Sequence, residues 1–250
     1  MTIYMKINGR LGNQLFQIAT AYTMAKKTSQ PFVMVFNQST EYESHYKEYF
    51  RDIKFISTNE VPVDIKYFSE RRPGMNTFKF NENLLSICAM RNIMLDGYFQ
   101  TGKYFNNYFN NLKKINLKKK VQINNGYFIH VRRGDYLTDA RFQIDYTKYF
   151  KIAIEYFPKD ANYFVVSDDI EFCKNYDLFK NLKKEFIELD PIDTIHFMSG
   201  CRGGICANSS FSWWGAYLGQ REIVTMPRQW FHDGMDKSDL FFENVKVIDF

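Results

Sequence analysis

Two adjacent arginines, Arg132 and Arg133, lie in the run His130-Val131-Arg132-Arg133-Gly134-Asp135. A guanidinium is planar and permanently charged, and its fork of N–H donors matches the oxygens of a phosphate. Two of them on one loop point to a diphosphate as guest. Arg133 either joins in that contact or pairs with Asp135 to brace the loop. Arg132, which alternates to the other side, is the better ligand. His130 is open between a nucleoside contact and a satisfied histidine at a strand end.

A second cluster, Asn208-Ser209-Ser210-Phe211-Ser212, runs into Trp213-Trp214-Gly215-Ala216-Tyr217-Leu218. The second half of that stretch is amphipathic and can start a helix. Small hydroxyl residues at a helix N-terminus cap it, and the free backbone N–H groups there form an anion site. Capping alone accounts for one serine, so three in four positions favour a phosphate. Trp213 and Trp214 read as core. In Ser167-Asp168-Asp169 the acidic pair fits a helix start, where the dipole favours it. One of these carboxylates at a rim could also accept from N1 and N2 of a guanine. Near the N-terminus, Gly9 and Gly12 with Asn13 and Gln14 form a tight turn at the mouth of a helix. Its spacing is neither that of the dinucleotide fingerprint nor that of a P-loop.

The elements needed to position these clusters can be read from the pattern. Ile3–Ile7 is an apolar run followed by the glycine turn, and Leu15, Phe16, Ala19, Tyr22 and Ala25 then follow the helical period, giving strand, loop, helix. Phe32–Phe36, Lys54–Ile56 and Ile93–Leu95 are further strand candidates. From about residue 125, strands alternate with helices: Tyr127–Val131, Tyr163–Val166, Phe186–Leu189, Gly204–Ala207 and Ile223–Met226, with Tyr149, Ile152, Ala153 and Tyr156 on one helix face. That is the signature of a parallel sheet covered on both sides. The three polar clusters of this half each follow a strand, and ligands of open parallel sheets bind beyond the carboxyl ends of the strands. They are therefore expected to converge.

Composition excludes several classes. Aromatics make up 18% of the 250 residues, far above what a disordered chain carries, and the net charge of +5 is too small to indicate nucleic acid. Lys113, Lys114, Lys118, Lys119 and Lys120 form the clearest basic run, read as a solvated linker between two halves, with contact to a membrane surface or an acidic partner as the alternative. Cys88, Cys173, Cys201 and Cys206 show no metal-binding spacing and read as reduced thiols. No apolar stretch approaches a transmembrane span or a signal sequence, so a cytoplasmic protein, peripheral to a membrane at most, is expected.

In order and spacing, Gly9–Gln17, Asp96-Gly97-Tyr98-Phe99-Gln100 with Lys103-Tyr104-Phe105, His130–Asp135, Ser167–Asp169 and Asn208–Ala216 resemble the motifs of the alpha-1,2-fucosyltransferases, the family 11 glycosyltransferases. The resemblance spans nearly the whole chain. It implies an α/β, GT-B-like enzyme of two Rossmann-like domains, an acceptor-side domain at 1–120 and a GDP-sugar-binding domain at 121–250. The donor site falls at the carboxyl strand ends of the second. It implies inverting, metal-independent transfer of fucose from GDP-beta-L-fucose to a glycan hydroxyl, usually O2 of galactose, with no cofactor beyond that donor.

Related fucosyltransferases share the His-x-Arg-Arg-x-Asp motif and hold the beta-phosphate with its first arginine, which here is Arg132. The same comparison turns His130 and Asp169, with Asp168 beside it, toward guanine, and Ser209, Ser210 and Phe211, with Asn208 before them, toward the phosphates. It brings Gly12 and Asn13 near the fucose and diphosphate. Asp135 is the first candidate for a general base, unless the departing diphosphate takes the proton. Nowhere are two aspartates two residues apart, so the Asp-x-Asp pair with which many nucleotide-sugar transferases hold a divalent ion is missing. Arginine and helix N-termini must then neutralise the leaving group. The chain is short for the family, and residues 37–92 of the acceptor half are where a trimmed segment is expected. The competing readings are a transferase of another GDP-hexose and a non-catalytic protein that binds glycan or RNA through its aromatic and basic residues.

Overall fold

The computed structural model describes residues 1–36, 53–105 and 124–250. These fall into two compact units, one of the described residues up to Lys118 together with Met235–Leu240, the other of those up to Gly234 and from Phe241 to Phe250. A linear division of the chain does not foresee the return of Met235–Leu240 to the first unit. The lysine run from Lys113 to Lys120 and part of the segment expected to be trimmed lie outside the described residues.

The first unit opens with β1 (Ile3–Lys6), α1 (Leu11–Thr28) and β2 (Phe32–Phe36), then β3 (Phe55–Ser57), β4 (Lys66–Ser69), α2 (Leu84–Ala89) and β5 (Ile93–Asp96). The strands form an all-parallel sheet of order β3-β2-β1-β5-β4. α1 ends at Ser29, which adopts the left-handed conformation and donates its N–H to the carbonyls of Ala25 and Lys26, while Lys26 and Lys27 in the last turn complement the helix dipole. Its buried side carries Gln14 and Gln17 among apolar residues. Both amides serve the turns at the strand ends.

The second unit alternates more regularly: β6 (Asn124–Val131), α3 (Tyr146–Ile154), β7 (Tyr163–Ser167), α4 (Ile170–Lys174), β8 (Lys184–Ile187), α5 (Pro191–Gly200), β9 (Cys201–Ile205), α6 (Ser210–Leu218), β10 (Ile223–Pro227) and β11 (Val245–Ile248). Its sheet is also parallel throughout, of order β11-β10-β9-β6-β7-β8. Tyr127, Ile129 and Val131 of β6, Val165 of β7, and Tyr149, Phe150 and Ala153 of α3 form one core cluster.

Two strand positions differ from the sequence reading. β8 begins at Lys184 because an edge strand needs backbone partners more than apolar side chains, and Lys184 and Glu185 pair with Tyr163 and Phe164. β9 begins at Cys201 through Arg202 and Gly203, and Cys206 and Ala207 lie beyond its end. Tyr156 lies past the end of α3 and is exposed, so it does not share the face of Tyr149 and Ala153. Among the described residues, no helix is long and apolar enough to cross a membrane.

Candidate active site

In the second sheet the chain leaves β6 toward β7 and β8 on one side and returns to β9 and β10 on the other. The strand order therefore reverses between β6 and β9, the position where open α/β sheets bind ligands. His130 and Val131 end β6, Arg132 and Arg133 follow, and a single 3-10 turn spans Gly134–Leu137. Across the reversal, β9 leads through Asn208 and Ser209 into α6. The arginine pair and the serine cluster are thus brought to one point by topology.

Arg132 lies between two carboxylates: its guanidinium meets Asp135 Oδ1 at 2.5 Å and Asp168 Oδ2 at 2.7 Å, and its side chain is only 14% exposed. Arg133 turns instead to the start of α4. Its Nε donates to Asp169 Oδ2 at 2.9 Å and its guanidinium stacks 3.5 Å above the Phe172 ring. Of the two readings left open for Arg133, the brace to Asp135 falls to Arg132, because the 3-10 turn carries Asp135 back toward Arg132. Asp168 also accepts the backbone N–H of Arg133 at 2.9 Å, and a side chain at Gly134 would collide with that carboxylate. Together these contacts fix the plane of the Arg132 fork while leaving N–H donors for a ligand.

Asp169 is the N-cap of α4, accepting from the Phe172 N–H at 3.1 Å. That backbone bond, followed by Arg133, holds its carboxyl below the usual range. His130 is buried, and burial followed by the charge of Arg132 pulls its imidazole down to about 3, so it is neutral at any working pH. Its Nδ1 has no hydrogen-bond partner among the described residues, and the Phe211 ring lies 5.5 Å from its own. A neutral ring with an unused nitrogen can donate to or accept from a neutral base edge.

α6 begins with Ser209 as N-cap, its hydroxyl accepting from the Phe211 N–H at 3.3 Å. Ser210 stands half-buried at the first helical position, and Ser212 turns inward to donate to the Ser209 carbonyl at 3.3 Å. Trp213 and Trp214 are core, as expected. Asn208 has no side-chain group left to present: its Nδ2 donates to the carbonyls of Phe142 at 2.9 Å and Trp230 at 2.7 Å, and its Oδ1 accepts from the Tyr146 hydroxyl. The Asn208 side chain thus braces the Ala207–Ser209 loop against the segments around Phe142 and Trp230.

The first unit has its own reversal, between β1 and β5. There Gln17 Nε2 donates to the Gly97 carbonyl at 2.8 Å, Gln100 Nε2 donates to Asn13 Oδ1 at 2.7 Å, and Gln14 donates to the Gly9 carbonyl. Gly12 is buried in the first turn of α1. The glycine turn and the Asp96–Gln100 motif are therefore one hydrogen-bonded assembly. All four cysteines are buried free thiols, and no cluster of potential metal ligands occurs among the described residues.

The model of glycosyl transferase family 11 matches residues 82–244, more than half of the chain. The chain belongs to glycosyl transferase family 11. Within this setting it is 27% identical to an alpha-1,2-colitosyltransferase of Escherichia coli, over 92% of each chain. It is 26% identical to the O-antigen biosynthesis glycosyltransferase WbnK of Escherichia coli, over 97% of this chain and 99% of that one. Among solved structures, the E. coli heptosyltransferase WaaC with ADP-2-deoxy-2-fluoro heptose aligns with a TM-score of 0.51 at 8% identity, covering 99% of this chain and 93% of that one. That likeness is one of fold, the GT-B-like arrangement of parallel α/β sheets.

The family 11 motifs hold the residues singled out from sequence, but their braces lie outside them. Tyr146, Phe142 and Trp230 support Asn208 over separations of 62, 66 and 22 residues. No local pattern in the sequence signals such contacts. Glu70, buried at the end of β4, was missed for the same reason.

Proposed function

We propose that this family 11 glycosyltransferase transfers fucose from GDP-beta-L-fucose to a glycan hydroxyl, O2 of a terminal galactose, with inversion and without a metal ion. The observation that carries this reading is the Arg132 fork, fixed by Asp135 and Asp168 at the sheet reversal where α6 also begins. A fixed guanidinium and a helix N-terminus stabilise a departing diphosphate as its charge develops. Asp135 meets Arg132 through Oδ1, and a carboxylate has a second oxygen with which to take a proton, so Asp135 is the general base to test first, with the departing diphosphate as the alternative acceptor. The alpha-1,2 linkage named for the colitosyltransferase relative supports transfer to a secondary hydroxyl.

The same relative supports a second donor, since colitose is the 3-deoxy counterpart of fucose. Mass spectrometry of products formed from each GDP-sugar and galactose-terminated acceptors separates the two. GDP and a fucosylated product are expected with EDTA present. Activity that disappears with EDTA and returns with manganese overturns the metal-free mechanism, and turnover of the 3-deoxy donor alone overturns the choice of sugar.

Guanine is assigned to Asp169, whose carboxylate offers about four lone-pair sites, two of them already used by Phe172 and Arg133. Asp169→Asn keeps an N-cap and removes the charge. It is expected to weaken GDP binding by about 1.5–3 kcal/mol, the range for bonds to a charged group, while ADP binding changes little. Calorimetric titration of both nucleotides measures this. An unchanged GDP affinity confines Asp169 to the helix start and passes the base contact to Asp168 and His130.

A further inference from the structure

Glu70 follows β4 and lies almost fully buried beside the turn that ends β5. Its Oε2 accepts the N–H of Phe99 at 2.8 Å and the hydroxyl of Thr77 at 2.7 Å, and the carboxyl also receives the backbone of Tyr98. Its own N–H donates to the Asp96 carbonyl at 2.9 Å. Phe99 sits at φ 53, the left-handed region that a bulky residue enters only when the surroundings impose it. Gly97 makes room for the imposition: a Cβ there would lie 2.5 Å from Glu70 Oε2. The next residue is Gln100, whose amide donates to Asn13. A buried carboxylate, a strained turn and the amide at the mouth of α1 form one chain of contacts within the first unit.

We infer that Glu70 is a positioning residue which locks the Gly97–Gln100 turn and through Gln100 orients the Asn13 amide for the transfer reaction. The inference rests on the transferase reading above, with Asn13 as a substrate-side residue of the first unit. The Phe99 and Tyr98 backbone and the Thr77 hydroxyl all donate to the carboxyl, which by itself favours an acceptor-only group. Burial opposes this and dominates, pushing the Glu70 carboxyl up to about 7. The proton is therefore exchanged within the working range.

The other ionisable groups on neighbouring elements do not compete. Tyr104 is raised by burial first and then by Glu70, and it stays neutral. Asp96 faces Arg71 at 3.2 Å and Lys6 at 3.7 Å, and Asp239 pairs with Lys103 at 2.7 Å. The sign follows from the raised value. The folded state prefers the protonated form, so that contribution to stability is present below the unfolded value of 4.5 and is lost as pH rises through about 7. The locked turn, which the fold holds best with the carboxyl protonated, is weakened over the same rise.

The test uses Glu70→Gln in the full chain, with Thr77→Val as the milder variant. The wild-type rate is expected to fall with pH along a limb centred near 7. Glu70→Gln, a neutral isostere, is expected to flatten that limb, and Glu70→Ala to lower kcat by up to about 100-fold at pH 6, as for a misplacement remote from the chemistry, with KM for the donor little changed. Thr77→Val, which removes one donor to the carboxylate, moves the limb to higher pH. Hydrogen exchange at the Phe99 amide, read without any substrate, is expected to quicken as pH rises through 7 once corrected for intrinsic exchange, and to lose that dependence in Glu70→Gln. A limb that persists unmoved in Glu70→Gln and Thr77→Val, or Phe99 protection indifferent to Glu70, overturns the inference. Wild-type protein that transfers no sugar while the exchange behaviour holds overturns the transferase reading and leaves the latch standing.

Discussion

Arg132→Ala is expected to lower turnover about 100- to 1,000-fold, the effect of losing one preorganised charge-directed contact to a developing charge, worth roughly 2.7–4 kcal/mol. The expectation follows from where the structure directs each arginine. Arg132 is held in plane by Asp135 and Asp168 at the reversal between β6 and β9, whereas Arg133 turns to Asp169 and lies flat on Phe172. Arg133→Ala should instead act mainly through the start of α4, with a smaller loss of rate. Arg132→Lys should recover only part of the loss, since an ammonium keeps the charge and loses the planar fork. Steady-state kinetics on the three variants, with circular dichroism to establish folding, measures this. Equal losses in Arg132→Ala and Arg133→Ala, accompanied by unfolding, would assign both arginines to structure.

The charge balance sharpens this expectation. Around Arg132 and Arg133 stand Asp135, Asp168 and Asp169, while His130 contributes no charge because burial keeps it neutral. Two guanidiniums facing three carboxylates do not by themselves make a positive site. On the transferase reading proposed above, the remaining N–H donors of Arg132 and the first turn of α6 are expected to share the neutralisation of a diphosphate.

The parallel sheets and the meeting of these clusters were legible in sequence because both depend on local pattern. Apolar runs such as Tyr127–Val131 and Tyr163–Val166 mark strands buried on both faces, and polar residues directly after them mark the ligand-binding ends. Two edge strands escaped notice, β4 with its exposed Lys66 and Tyr67 and β11 with its exposed Lys246, because an edge position relaxes the apolar requirement that makes a strand visible. The exchange of partners between Arg132 and Arg133 was illegible for a different reason. Alternation along a strand predicts opposite sides, but the chain leaves β6 at Val131 and enters a 3-10 turn, where the period of two no longer applies. Glu70 was hidden because its meaning depends on Phe99, a contact across 29 residues that no spacing rule encodes.

Asn208→Ala should destabilise the fold and not remove a ligand contact. The side chain is fully buried, and its three contacts are with the carbonyls of Phe142 and Trp230 and the hydroxyl of Tyr146. Alanine leaves all three without that partner. Each unsatisfied buried polar group costs about 1–3 kcal/mol, so a total loss of more than about 3 kcal/mol is expected, a large part of the stability of an ordinary domain. Asn208→Asp separates the contributions: it can still accept from Tyr146 but cannot donate to the two carbonyls, and it brings a negative charge into a dry site. It should be at least as damaging as alanine. Denaturant unfolding of both variants reads the stability, and GDP titration at a temperature where the variant remains folded reads the binding. Near-normal GDP affinity in a folded but fragile protein is the expected outcome. A variant of undiminished stability that no longer binds GDP would return Asn208 to the donor contacts and show that its amide turns away from Phe142 and Trp230 when the nucleotide arrives.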